Sequence, residues 1–98
     1  MNQKLRDENL NELMRAIASI DDVDTCYNFL EDLCTATELR AMSQRFAVAK
    51  MLNQRKVYSE IVEKTGASTA TISRVNRSLT YGSDGYQAVF TKLGEDDV

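Results

Sequence analysis

The sequence predicts an all-α protein, and three observations carry that prediction. There is no proline, and all four glycines (Gly66, Gly82, Gly85 and Gly94) lie in the last third, so residues 1–65 hold no strong helix breaker. Strand-like alternation of apolar and polar residues is missing. Apolar residues recur instead three and four positions apart, the period of one helix face. The 98 residues suffice for one domain, read as 1–98. The hydrophobic fraction of 43% is ordinary for a globular chain and argues against global disorder.

The elements follow in order. Leu10, Leu13, Met14, Ile17 and Ile20 mark one face of a first helix, about 5–20. Asp21 or Asp22 caps a second, about 22–33, whose apolar set is Val23, Cys26, Tyr27, Leu30, Leu33 and Cys34. Thr35, with Glu38 three residues on, forms a capping box that opens a long helix, about 36–53. Its seam is Leu39, Met42, Phe46, Ala49 and Leu52, with Arg40, Arg45 and Lys50 off that seam. The polar run NQRK, 53–56, ends it, and its cations suit the negative end of the helix dipole. A short helix, SEIVEKT at 59–65, carries Ile61 and Val62, and Gly66 fits the left-handed position that ends helices. Ser68 caps a helix near 69–78. Ser83 caps the last, about 84–93, where Tyr86, Val89, Phe90 and Leu93 share a face. The tail GEDDV is expected to fray.

Composition excludes several functions. Two cysteines, Cys26 and Cys34, and no histidine cannot supply a thiolate and imidazole metal site. The expected state is two half-buried thiols in a reducing cytoplasm. The lack of histidine removes the commonest general base, and no GxSxG, P-loop or GxGxxG pattern occurs. No metal, no catalytic residue and no enzyme are therefore expected. No apolar run approaches a membrane span, and no secretory signal opens the chain, so the expected location is the cytoplasm, with the nucleoid.

The net charge of −3 conceals a segregation. Residues 1–37 hold three basic and eight acidic side chains, residues 38–78 eight basic and three acidic, and residues 79–98 one basic and four acidic. A basic middle between acidic ends steers polyanions locally, although Lys and Arg also serve simply to solvate helix faces. Two short helices joined by a Gly-containing turn, about 58–78, describe a helix-turn-helix, whose second helix enters a DNA major groove. The segment GASTATISRVNRSL, 66–79, suits that role because it holds no Asp, Glu or Lys. Ile72 and Val75 would pack back on the first helix. Thr69, Ala70, Ser73, Arg74 and Arg77 would face outward, where small side chains admit the backbone to base edges and arginines pair with guanine or phosphate. Ser68 and Thr69 stand at a helix N-terminus, a ready phosphate site, and Ser59 at the start of the preceding helix joins the candidate DNA-binding set.

Several of these motifs, in order, resemble the Trp repressor superfamily, and within it the Trp-repressor-like YerC/YecD branch. The marks are L-C-T-x-x-E-L-R-A at 33–41, Arg45, E-I-x-x-x-x-G-A at 60–67 and A-T-I-S-R-x-x-x-S-L at 70–79. The resemblance covers roughly residues 30–93. It implies a six-helix fold and an intertwined homodimer whose core uses the first, second, third and last helices. It also implies a pseudo-palindromic operator with half-sites about one helical turn apart. The residues agree independently on one point: the apolar faces of the first, third and last helices exceed the obvious needs of a monomer of this size. By resemblance, tryptophan would be held by Thr35, Arg45, Thr71, Arg74 and Ser78, with Arg74 and Ser78 on the carboxylate and Arg45 over the indole. One departure disfavours tryptophan. The family has glycine where this chain has Val75, and two methyl groups there either fill the effector pocket or simply pack the helix corner. The reading reached is a sequence-specific regulator, a repressor acting as a dimer by occlusion. The alternatives are a non-sequence-specific architectural DNA binder, and a helical module that binds other proteins through its acidic ends.

Overall fold

The computed structural model describes residues 3–94. Among them every regular element is helical: a 3₁₀ turn at Gln3–Leu5, then α1 Glu8–Ser19, α2 Val23–Leu33, α3 Ala36–Asn53, α4 Tyr58–Thr65, α5 Thr69–Tyr81 and α6 Gly85–Leu93. The chain divides into two compact units, Met1–Leu39 and Arg40–Val98, with α3 running through the boundary.

The first unit is organised by its caps. Asp7 accepts from the Leu10 backbone N–H at 2.8 Å and starts α1. Asp22, rather than Asp21, starts α2 by accepting from the Thr25 N–H at 2.8 Å. That bond holds the Asp22 carboxyl below its ordinary range, because the donated proton favours the ionised form. The capping box opens α3 as its residues predict. The Thr35 N–H donates to Glu38 Oε1 at 2.8 Å, and the Glu38 N–H donates to Thr35 Oγ1 at 3.1 Å. The Thr35 N–H likewise lowers the Glu38 carboxyl. Cys26 and Cys34 are half-buried free thiols. No described side chain before residue 40 is fully buried.

The second unit has a closed core. Val48 and Ala49 of α3, Ile61 of α4, Ala67 of the turn, Ile72 and Val75 of α5 and Phe90 of α6 are buried together, with Met51, Leu52, Leu79 and Tyr86 against them. Each large member contributes about 2 kcal/mol by leaving water. The Phe90 ring lies 5.6 Å from Phe46 and 6.1 Å from Tyr86, centroid to centroid. Gln87 Nε2 donates to Asn53 Oδ1 at 3.0 Å, tying α6 to the end of α3. Val48 lies off the seam that spacing predicts for α3, yet it is fully buried. Several elements of this unit pack around α3, so it buries more than one stripe.

α1 begins at Glu8 rather than near residue 5, two later boundaries differ more instructively from those read from the sequence, and α3 ends at Asn53 as expected but closes in a way that spacing does not show. First, α5 runs to Tyr81 instead of ending at 78. Nothing between Ser78 and Gly82 breaks a helix, Leu79 adds to the core, and the Gly82 N–H closes the last turn on the Ser78 carbonyl. A Cβ at Gly82 would collide with that carbonyl oxygen, so glycine belongs at the stop. Second, Ser83 does not cap α6. Asp84 occupies the cap at φ 63° and makes no side-chain capping bond, so the helix spans Gly85–Leu93. The end of α3 is a Schellman turn at which Arg55 takes the left-handed position, φ 63°, that glycine normally fills. There the Lys56 N–H donates to the Met51 carbonyl and the Arg55 N–H to the Leu52 carbonyl. Beyond Gly94, the expectation of a frayed tail lies outside the described residues.

Candidate nucleic-acid interface

The corner between α4 and α5 is set by three adjacent residues. Gly66 leaves α4 at φ 71°, a left-handed conformation costly for a residue with a Cβ. The Thr65 hydroxyl donates to the Ile61 carbonyl at 2.7 Å and accepts from the Ala67 N–H at 3.1 Å. Ala67 is buried beneath the corner. Ser68 then caps α5, accepting from the Thr71 N–H at 3.1 Å while its hydroxyl donates to Thr71 Oγ1 at 3.1 Å. The Ser68 hydroxyl and the Thr71 N–H are thus engaged with each other, whereas the Thr69 and Ala70 N–H groups of the first turn of α5 have no intrahelical acceptor.

Past this corner α5 has two sides. Ile72 and Val75 are buried, as their spacing predicts. Ala70, Ser73, Arg74 and Arg77 are exposed on the opposite side, with Thr69 exposed at the start. No acidic side chain occurs between residues 66 and 79, so the helix itself supplies no carboxylate to neutralise Arg74 and Arg77. Ser59 is exposed in the first turn of α4. Because α5 is longer than predicted, Tyr81 continues the line Ala70, Ser73 or Arg74, Arg77 at helical spacing and is 82% exposed. Sequence reading missed Tyr81 by placing the helix end one turn early. The absence of any breaker before Gly82 was the available signal.

Beside this face lies a cleft of about 350 Å³ lined by Ala41, Gln44 and Arg45 of α3 and Ala70, Thr71 and Arg74 of α5. It contains three of the five residues that the resemblance assigns to an effector: Arg45, Thr71 and Arg74. Ser78 follows Arg74 by one turn and does not line the cleft. The Thr35 hydroxyl is occupied as the cap of α3. Arg74 stands where the outward face and the cleft meet. Val75 is 2% exposed and belongs to the core; it packs the helix corner and does not line the cleft. Two guanidinium groups and a hydroxyl suit a small anion or carboxylate, and the volume is that of a small-molecule site. Gln44, which the sequence did not single out, lines the cleft and donates from Nε2 to the Thr65 carbonyl at 3.2 Å. This contact joins residues 21 positions apart, which no local spacing rule reveals.

Among the described residues no cluster of carboxylates and thiols could hold a metal, and no helix is long and apolar enough to cross a membrane. The helices, the Gly66 corner and the exposed face of α5 have the build of a helix-turn-helix protein. The Trp repressor protein family matches residues 8–94. The chain is 45% identical over 94 residues to the uncharacterized protein YerC of Bacillus subtilis, covering 96% of this chain and 90% of that one. The crystal structure of a TrpR like protein from Eubacterium eligens superposes with a TM-score of 0.92 at 55% identity, covering 99% of this chain and all of that one. A second crystal structure, from Staphylococcus aureus, also gives 0.92, at 43% identity with both chains covered in full. The chain therefore belongs to the Trp repressor family, a family of DNA-binding regulators and not of enzymes.

Proposed function

We propose that this protein is a sequence-specific DNA-binding regulator that acts as a homodimer on a palindromic operator and represses by excluding polymerase. The observation that carries the reading is the acid-free outer face of α5, where Ala70, Ser73, Arg74 and Arg77 are exposed on a helix anchored by Ile72 and Val75. Small residues admit the backbone to the groove. The hydroxyls and guanidinium groups read base edges and hold phosphates. Thr69, Ser68 and Ser59 lie at helix starts, where N–H groups favour phosphate. A second copy supplies the other half-site, about one helical turn away. The site of action is the nucleoid in the cytoplasm.

The reading head needs no added tryptophan. Its recognition helix is already held by core packing through Ile72 and Val75. The cleft with Arg45, Thr71 and Arg74 remains open to a small anionic effector, and Ser78 and Thr35 are not essential to holding one. Because the chain contains no tryptophan, a fluorescence titration with that amino acid has no protein background.

The test is a selection of sheared genomic DNA on the purified protein at about 0.15 M salt, near physiological ionic strength, with no effector added. Fragments sharing a palindrome are the expected result. Uniform retention of all fragments with a steep salt dependence would make the protein an architectural binder. No retention at all would remove DNA from its function.

A further inference from the structure

The outward face of α5 reads DNA only if its tilt against α3 is held, and the structure offers a polar tie suited to that purpose. Gln44 of α3 donates from Nε2 to the carbonyl of Thr65, the last residue of α4, at 3.2 Å. That carbonyl belongs to a helix C-terminus, whose final C=O groups lack intrahelical donors. The same Thr65 carries the corner: its hydroxyl holds the Ile61 carbonyl and the Ala67 N–H. The backbone reverses at Gly66 in the next residue. The contact is part-buried, where a hydrogen bond gains strength from reduced competition with water. Gln44 also lines the cleft between α3 and α5 together with Arg45, Thr71 and Arg74.

From this we infer that Gln44 is a positioning residue for DNA reading: its amide latches the α4–α5 corner and thereby sets the angle at which α5 is presented. The inference rests on the DNA-binding reading above and adds the means by which the cleft is coupled to the reading face. An amide has two N–H groups and one oxygen, and the latch uses one N–H. The remaining N–H and Oε1 belong to a side chain that lines the cleft. A small carboxylate held by Arg45 and Arg74 therefore meets the latch itself, and its binding is read out at Thr65 and Gly66 rather than at the distant end of the helix.

The experiment compares the parent protein with Gln44→Met and Gln44→Lys. Methionine keeps the length of the side chain and removes the donor without adding charge. Lysine restores an N–H donor. Two quantities are measured: amide hydrogen exchange at Gly66 and Ala67 against Ile72 and Val75, and the ratio of affinities for the selected palindrome and for random DNA of equal length. Using the ratio cancels the general attraction that the lysine charge adds. Loss of one such hydrogen bond predicts that Gln44→Met exchanges about tenfold faster at the corner and loses about tenfold in the ratio. Exchange at Ile72 and Val75 stays at the parent rate, and Gln44→Lys returns both readouts toward the parent. Unchanged corner exchange in Gln44→Met overturns the latch. Faster exchange with an unchanged affinity ratio overturns the positioning role. A parent protein that selects no palindrome defeats the DNA-binding reading before any variant is made, and the exchange data still judge the latch by themselves.

Discussion

In Arg40–Val98 the apolar side chains of four helices close on one another, and Val48, Ile61, Ile72 and Phe90 are wholly removed from water. In the described part of Met1–Leu39 the helices are as well capped and as regular, yet no side chain is fully buried. Val23 is 70% exposed and Tyr27 71%, and Met14, Ile17 and Leu33 are also exposed. The contrast separates two sources of order. Capping and periodicity mark where α1 and α2 begin, end and turn their apolar faces, but they do not bury those helices. An isolated helix of 11 or 12 residues is marginal in water. Burial of an apolar stripe is what ordinarily stabilises such a helix, and the second unit obtains it within the chain. In the proposed dimer the first unit obtains it from a second copy.

The variant most damaging to this comparison is a charged first unit. Met14→Glu combined with Ile17→Glu is expected to give a monomer in sedimentation and to weaken binding to a palindrome about hundredfold, because the two heads no longer bind as one. A double variant that stays dimeric would show that α1 is not in the interface. Next in size is the core of the second unit. Phe90→Ala is expected to cost about 4 kcal/mol in denaturant unfolding, the usual range for a buried aromatic. Val75→Gly combines a cavity with a glycine inside a helix and is expected to cost about 3 kcal/mol. It leaves tryptophan affinity unchanged, since Val75 packs the core and the cleft is lined by other residues. A rise in tryptophan affinity without loss of stability would contradict that assignment.

The outer face of α5 should behave in the opposite way. Arg74→Ala and Arg77→Ala are each expected to weaken DNA binding about tenfold with an unchanged melting temperature, because both side chains are exposed. Parental affinity in both variants would move the reading face elsewhere. The smallest effect belongs to the caps of the first unit. Asp22 and Glu38 have carboxyls lowered from their ordinary values of 3.8 and 4.5. A depressed folded value means that the ionised caps stabilise the fold above the ordinary value, and that this is lost as pH falls through the depressed one. Acid titration followed by circular dichroism should therefore show slight loss of helix beginning below about pH 4.5. Thr35→Ala, which removes the reciprocal bond, should shift the onset toward higher pH.

Local chemistry alone determined much of this protein. The capping box of Thr35 and Glu38, the stop at Gly66 and the cap at Ser68 all act on groups within four residues, and Ile72 and Val75 fall three apart on one helix face, so spacing reveals the caps and the apolar side of α5. The resemblance to the Trp repressor family was legible for the same reason, since its marks are short motifs in fixed order. What the tertiary structure decided depends on packing between distant segments. The extension of α5 to Tyr81 follows from Leu79 reaching the core. Asp84 replaces Ser83 at the start of α6 because the loop arrives there in a left-handed conformation. Arg55 closes α3 in a place where sequence rules look for glycine. The assignment of Val75 to the core, and the meeting of Gln44 with Thr65 beside Arg45 and Arg74, needed α3 and α5 brought together in space. Periodicity says which face of a helix is apolar; only the folded chain says which neighbour that face meets, and which polar group is left at the seam.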